Sequence, residues 1–202
     1  MKKPTPLQFG CYYHIYNRGI NRENIFVEKD NYRYFLELFD KYILPIADVY
    51  AYCLLPNHFH LLVRIKREKD LTGFRSIRSI ASLSGLPRPS QKFSDLFNAY
   101  AKAFNKRYER TGSLFQRPFG RVEVSSNAQL FQLVIYIHRN PERHGLVGDF
   151  QDWPYSSYHA FVTGVGDSHL ERDEVMGWFG TIDSFKQVHQ EDAELEMSAR
   201  MV

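Results

Sequence analysis

Two periodicities alternate along this chain, and the order in which they do so limits the fold more than any other feature. Cys11 to Asn17 reads as a strand that ends at Arg18-Gly19. From Asp30 to Leu44, Tyr34, Phe35, Leu38, Phe39 and Tyr42 recur at helical spacing, and Pro45 stops the run. Val49 to Leu55 and His58 to Ile65 are two strands joined through Pro56-Asn57, a join short enough for a hairpin. Residues 66–87 read as helix or loop. Gln91 to Arg110 is a long helix whose Phe93, Phe97, Tyr100, Phe104 and Tyr108 form a core-facing stripe. Phe119 to Val124 is a fourth strand, and Ser126-Asn127-Ala128-Gln129 has the capping-box form that opens a helix to about Arg139, where Asn140-Pro141 ends it. This order predicts an α+β chain. Its first six elements match a ferredoxin-like split βαβ sandwich with an antiparallel sheet, followed by a C-terminal helix and a tail.

The 202 residues, 44% hydrophobic, can bury one good core and are short for two. No apolar run approaches the roughly 18 to 20 residues of a membrane helix. Two lysines near the N-terminus are not followed by an apolar stretch, so a cytoplasmic location is expected. Cys11 and Cys53 are too few and too far apart for a disulfide framework or zinc cluster, and read as buried free thiols. The formal charge of +3 conceals an asymmetry. Residues 167–202 hold three basic and nine acidic residues, a balance of −6, which leaves 23 basic and 14 acidic, or +9, in residues 1–166. The expected organisation is a single domain over 1–166 and an acidic tail over 167–202 that packs weakly, through Trp178 and Phe179 at most. A basic body favours a polyanionic partner.

His58-Phe59-His60 is the sharpest local feature. Side chains two apart on a strand share a face, so both imidazoles can converge on one ion, while Phe59, Leu61, Val63 and Ile65 make the other face apolar. The histidine face is then expected to be the open one, and two unrelated strand histidines is the competing reading. On the last helix Gln132, Tyr136 and Asn140 fall at spacings of four, on a different stripe from Leu130, Leu133, Val134 and Ile137. Such a polar face could approach the histidines, although packing is the ordinary role for any one of 13 tyrosines. Eight basic residues against Asp95 and Glu109 crowd residues 88–121. Lys102, Lys106 and Arg110 form a row away from the aromatic stripe and can track phosphates. Arg117 and Arg121 border the fourth strand and could read bases or phosphates, and Arg18 is a further candidate.

Three separated segments, Leu55-Pro56-Asn57-His58-Phe59-His60-Leu61-Leu62-Val63, Gly112-Ser113-Leu114-Phe115-Gln116-Arg117 and the run from Tyr136 through Asn140-Pro141 to Val147, resemble the single-tyrosine HUH transposases (transposase IS200-like), above all the REP-associated tyrosine transposases. Trp153-Pro154-Tyr155-Ser156-Ser157-Tyr158 resembles the segment that follows in that branch. The likeness runs from about Cys11 to Tyr158. It implies that His58 and His60 are metal ligands, that Tyr136 is the nucleophile, and that Asn140 completes the metal site, where other members have glutamine. His138 receives no catalytic role.

The chemistry is consistent with that implication. Tyrosine, with a reference pKa of about 10, is a poor nucleophile, and a phosphodiester anion resists attack. A divalent ion with open positions would draw charge from the scissile phosphate. The ligand set would accept zinc or nickel as well as manganese; the resemblance favours Mg²⁺ or Mn²⁺. The implied activity is a metal-dependent single-stranded DNA endonuclease and strand transferase that forms a 5′-phosphotyrosine intermediate on hairpin-associated DNA, as a monomer or homodimer. The rival readings are a catalytically idle DNA hairpin-binding regulator, and a ferredoxin-like RNA-binding module in which Tyr50 and Tyr52 would stack bases.

Overall fold

The computed structural model describes residues 5–71, 86–165 and 169–191. Four strands, β1 (Tyr12–Arg18), β2 (Ala47–Leu55), β3 (His58–Ile65) and β4 (Gly120–Val124), form one antiparallel sheet in the order β2-β3-β1-β4. Helix α1 (Lys29–Tyr42) links β1 to β2 across β3, and α2 (Pro89–Arg107) links β3 to β4 across β1. These are the two interleaved βαβ units that the element order predicts. Most of residues 66–87 lies outside the described residues. No helix among those described is long and apolar enough to cross a membrane.

Strand alternation divides the interior into two cores. Ile15, Phe59, Leu61, Val63 and Ile65 pack against Phe35 and Phe39 of α1 and Phe93, Phe97 and Tyr100 of α2. Leu62, Ala51, Cys53 and Leu55 point the other way, against Leu133, Val134 and Ile137 of α3 (Asn127–Arg143). A bulge between Val49 and Ala51 shifts the register of β2, so Tyr50 falls in the α3 core and Tyr52 packs on the α1 side. Two tyrosines on opposite faces cannot make one base-stacking platform, and Tyr50 is itself covered by Trp178, stacked at 5.3 Å. The RNA-reading arrangement of Tyr50 and Tyr52 is therefore absent.

Two helix ends differ from expectation. Helix α2 stops at Arg107, and Glu109 takes a left-handed φ of 51°, so Arg110 leaves the row of Lys102 and Lys106. Its guanidinium turns back to Asn105 and Glu23. Helix α3 runs through Asn140-Pro141 to Arg143 instead of ending there. Proline forfeits its own N–H bond and its ring crowds the carbonyl four residues back, a cost offset by the burial of Asn140 and Pro141, with His144 N donating to Asn140 O at 3.0 Å in the last turn. Asn140 thereby keeps its helical place one turn beyond Tyr136.

The segment expected to pack weakly is also firmer than its charge suggests. Beside Tyr158 and Phe161 of α4 (Tyr158–Thr163), which precedes the tail, the tail's helices α5 (Arg172–Phe179) and α6 (Ile182–Gln190) bury Val175, Phe179, Phe185 and His189 in the α3 core. Glu174 accepts hydrogen bonds from the Tyr12 and Tyr50 hydroxyls at 2.6 and 2.8 Å, and Glu171 N donates to Val49 O at 2.8 Å along the edge of β2. Among the described acidic residues Asp173, Asp183 and Glu191 are exposed while Glu171 and Glu174 are half-buried beside β2, so net charge says nothing of the apolar faces turned inward.

Candidate active site

The pairing of β1 with β3 sets Arg18 opposite His58 and Tyr16 opposite His60. On the other side of β1, Gly120 faces Tyr16 so closely that a Cβ there would lie 2.2 Å from the Tyr16 ring. A glycine is needed for that ring to lie flat over β4. Helix α3 then crosses this face and brings the Tyr136 ring edge-on to His60 and His14, with centroids 5.5 and 6.2 Å away. A cavity of about 210 Å³ opens between them, lined by Tyr16, Arg18, His58, His60, Tyr136 and His144, with Gln116, Pro118 and Gly120 at its side. The histidine face is not open, as its polarity suggested, but roofed: His58 and His60 are each 5% exposed and Tyr136 6%.

Imidazoles tolerate such burial when they are neutral and hydrogen-bonded. His58 Nδ1 donates to Asn57 Oδ1 at 2.6 Å, and Asn57 Nδ2 donates to Arg22 O, which fixes the amide's orientation. His58 Nε2 is consequently a bare acceptor, buried without a partner. His60 Nδ1 lies 2.9 Å from His14 Nε2. Burial, reinforced by His144 and Arg18, pulls His58 down to about 3, and burial with the neighbouring histidines holds His60 well below its ordinary range. Both are unprotonated at neutral pH, the form that binds metals. The Asn140 amide nitrogen donates to Tyr136 O at 2.8 Å, leaving Oδ1 buried and unpaired, although Asn140 lies outside the cavity lining. Two imidazoles and a spare amide oxygen, with orphaned acceptors at His58 and Asn140, suit a divalent cation. Burial raises the Tyr136 hydroxyl above its usual pKa, while Asn140, Arg143 and Arg18 oppose that shift.

Residues 7–140 match a family described as Transposase IS200 like. The chain belongs to this family. It is 30% identical over 113 residues to a Haemophilus influenzae (strain ATCC 51907 / DSM 11121 / KW20 / Rd) protein whose name assigns it provisionally to the REP-associated tyrosine transposases. That match spans 55% of this chain and 59% of the relative, less than two thirds of its length. A solved structure of a REP-associated tyrosine transposase bound to a REP hairpin superposes with a TM-score of 0.56 at 20% identity, over 85% of this chain and 98% of that one. The shared fold is thereby shown.

Within this member of the IS200-like family, the residues singled out by sequence fall into two groups. His58, His60, Tyr136 and Arg18 share one cavity, with Asn140 buried nearby in sequence on the same helix. Lys102 and Lys106 are exposed on α2, across the sheet from the histidines. Arg117 and Arg121 line a second cavity of about 300 Å³ on the α2 side, which shares Asn17, Gln116 and Pro118 with the first. Arg121 lies over the Phe119 ring at 3.7 Å and donates to Ser90 Oγ at 2.8 Å. Sequence reasoning missed Tyr16, His14, Arg143 and His144. Tyr16 and His14 alternate with Arg18 on one face of β1, a signal legible at period two, and Arg143 is one helical repeat of seven from Tyr136, its guanidinium 5.8 Å from that ring.

His138 is fully buried and hydrogen-bonded at both ring nitrogens. Its Nε2 meets Ser157 Oγ at 2.8 Å and its Nδ1 meets His189 Nε2 at 2.9 Å, while His189 Nδ1 donates to Phe185 O at 2.7 Å. Because the last acceptor is a carbonyl, the proton positions along the chain follow: His138 Nδ1 donates to His189, and Ser157 donates to His138. Ser157 Oγ also lies 3.2 Å from Tyr52 O, so hydrogen bonding alone does not bar an extra proton; burial of both rings is what opposes it. Burial depresses His189 to about 4 from an ordinary 6.5. The unfolded chain therefore takes up a proton below pH 6.5 that the folded one refuses until about pH 4, so stability falls as pH drops through this window. Urea unfolding at pH 7 and at pH 4.5 is expected to show His189 contributing up to about 3 kcal/mol to that loss, read as the difference in slope between the native chain and His189→Gln. Equal pH slopes in the two proteins would remove His189 from the account.

Proposed function

We propose that this transposase-family chain cleaves and rejoins single-stranded, hairpin-associated DNA, with Tyr136 as nucleophile. The observation that carries this reading is the edge-on approach of Tyr136 to His60 at 5.5 Å over a cavity whose floor is a neutral histidine pair with an orphaned Nε2. His58, His60 and the Asn140 oxygen would hold Mg²⁺ or Mn²⁺, which when bound supplies charge to the scissile phosphate and helps orient it. Arg18, in the cavity, would bind a non-bridging phosphate oxygen. Tyr136 Oη attacks phosphorus, the bond to the 3′-oxygen breaks, and the leaving oxygen gains a proton while the phenol loses one. The product is a tyrosyl ester of the 5′-phosphate and a free 3′-hydroxyl. Ester exchange conserves the bond energy, so a second 3′-hydroxyl can rejoin without ATP. Arg18 and Arg143 favour the phenolate that burial opposes.

The REP hairpin in the solved relative supports a hairpin substrate here. The direct experiment is to incubate the chain with Mn²⁺ and labelled single-stranded hairpins and look for a denaturation-resistant adduct that chelation prevents. Absence of any adduct, with hairpin binding intact, would favour a regulator that binds without cutting.

The basic row of α2 provides a separate check. Lys102 and Lys106 are exposed, whereas Arg110 is engaged by Glu23 and Asn105. Neutralising the two lysines is expected to reduce the salt dependence of single-strand binding by up to about 1.4 in slope, about 0.7 per phosphate contact, equally for matched and scrambled hairpins. Arg110→Ala should add little. An unchanged slope in the double variant would make the row a solvated face.

A further inference from the structure

His14 has no part in the chemistry above, yet it is fully buried on β1, between Leu62 and Val122 in the sheet register, where an aliphatic side chain would pack without leaving a polar atom unpaired. Its ring lies nearly parallel to that of His60, 20° apart with centroids 5.0 Å away. Its Nε2 is 2.9 Å from His60 Nδ1, and its Nδ1 has no partner.

A hydrogen bond between two neutral imidazoles contains one proton and therefore has two arrangements. If His14 carries the proton on Nε2, His60 Nδ1 accepts it and the proton of His60 sits on Nε2, where it blocks the ring's remaining lone pair. If His60 carries the proton on Nδ1, His14 accepts it and His60 Nε2 is free to ligate. The neighbouring ligand has no such choice: His58 Nδ1 faces the Asn57 amide oxygen, which can only accept, so His58 Nε2 is bare in advance. His60 depends on a partner able to play either part.

We infer that His14 is the positioning residue of the metal site: it accepts the Nδ1 proton of His60 and so keeps His60 Nε2 open to a divalent cation. This rests on the metal-binding reading of His58 and His60. Ligating histidines generally pass their second N–H to an acceptor that fixes ring and tautomer, and loss of that acceptor typically weakens metal binding about 10- to 100-fold. In the ligating arrangement His14 must hold its own proton on Nδ1, as a buried N–H with no acceptor. Orphaned donors are rarer in proteins than orphaned acceptors, so the ligating tautomer is the less favoured one until a metal is bound. The affinity of the site is thus set partly by a residue that never touches the ion.

The experiment reads the metal and the ring protons rather than DNA cleavage. The full chain, with ¹⁵N-labelled histidine, is titrated with Zn²⁺ as a diamagnetic probe, and long-range ¹⁵N–¹H spectra assign each ring's tautomer. With Zn²⁺ bound, both His60 and His14 should be protonated on Nδ1. His14 protonated on Nε2 in that state overturns the inference. In parallel, calorimetry with Mn²⁺ should show about 10- to 100-fold weaker binding by His14→Phe, which keeps a ring but loses the acceptor, and substantial recovery in His14→Gln, whose amide oxygen can accept. Native Mn²⁺ affinity in a folded His14→Phe protein also overturns it. Should that variant not fold, the tautomers of the native chain decide alone. If the native chain binds neither ion, the metal reading itself falls, a result distinct from a site that binds metal normally without His14.

Discussion

Tyr136→Phe is expected to abolish the covalent DNA adduct while leaving hairpin affinity nearly unchanged. Loss of a nucleophile from an acting unit costs about 10⁴-fold or more, because what remains can bind the scissile phosphate but has no atom to attack it. Affinity should survive because, on the proposed reading, the phosphate contacts are made by Arg18 and the other basic side chains. The variant should also fold: Tyr136 is buried by its ring against His60 and His14, contacts that phenylalanine repeats, and its interaction with Asn140 is one that favours the phenolate, not one in which the hydroxyl donates. Adduct formation is measured on denaturing gels with labelled hairpins, and affinity by fluorescence anisotropy in the presence of Ca²⁺. Adduct at the native rate would assign the nucleophile elsewhere, and Tyr16, the other tyrosine lining the cavity, would be the first alternative to examine.

The parts of this site that were legible from sequence share one property: they depend on spacing within a single element. His58 and His60 lie on one face because strands alternate, and Tyr136 and Asn140 share a stripe because helices repeat at four. What spacing cannot supply is register between elements. Arg18 is beside His58, and His14 beside His60, only because β1 pairs with β3 in one of several possible alignments and lies between β3 and β4. The roof over the histidines escaped notice for a different reason. Polar residues on one strand face suggested exposure, but a neutral imidazole paired to Asn57 or His14 can be buried as well as any apolar ring.

The two misplaced helix ends and the tail illustrate tertiary packing prevailing over local signals. Pro141 carries a helix penalty of about 3 kcal/mol that tertiary context can outweigh, and here burial of both Asn140 and Pro141 does so. In the tail, Val175 and Phe179, then Phe185 and His189, are each four residues apart and mark two inward stripes that the count of nine acidic residues obscured. His189 was the least readable, since a histidine at a helix's inner face is explicable only once His138 and Ser157 are seen beyond it.

The second large effect concerns the proposed metal ligands and has two readouts that should move in opposite directions. His58 Nε2 is buried with no hydrogen-bond partner, an arrangement that costs a metal-free fold about 1 to 3 kcal/mol. His58→Leu removes the orphaned atom and keeps much of the volume, and the Asn57 side chain is exposed enough for its released oxygen to accept from water without giving up the bond to Arg22 O. The metal-free variant is therefore expected to be as stable as the native chain or more stable by about 1 kcal/mol, measured by urea unfolding in chelator. Cleavage in Mn²⁺ should meanwhile fall about 10³-fold or more, since a ligand that helps place several kcal/mol of charge stabilisation is gone. His60→Leu should lose activity equally but gain less stability, because His60 already has a partner in His14, whose Nε2 it would leave unpaired. This opposition separates function from packing. A histidine kept for structure would lose stability when replaced and would leave any metal response intact, and that pair of results in His58→Leu would return the histidine pair to the core.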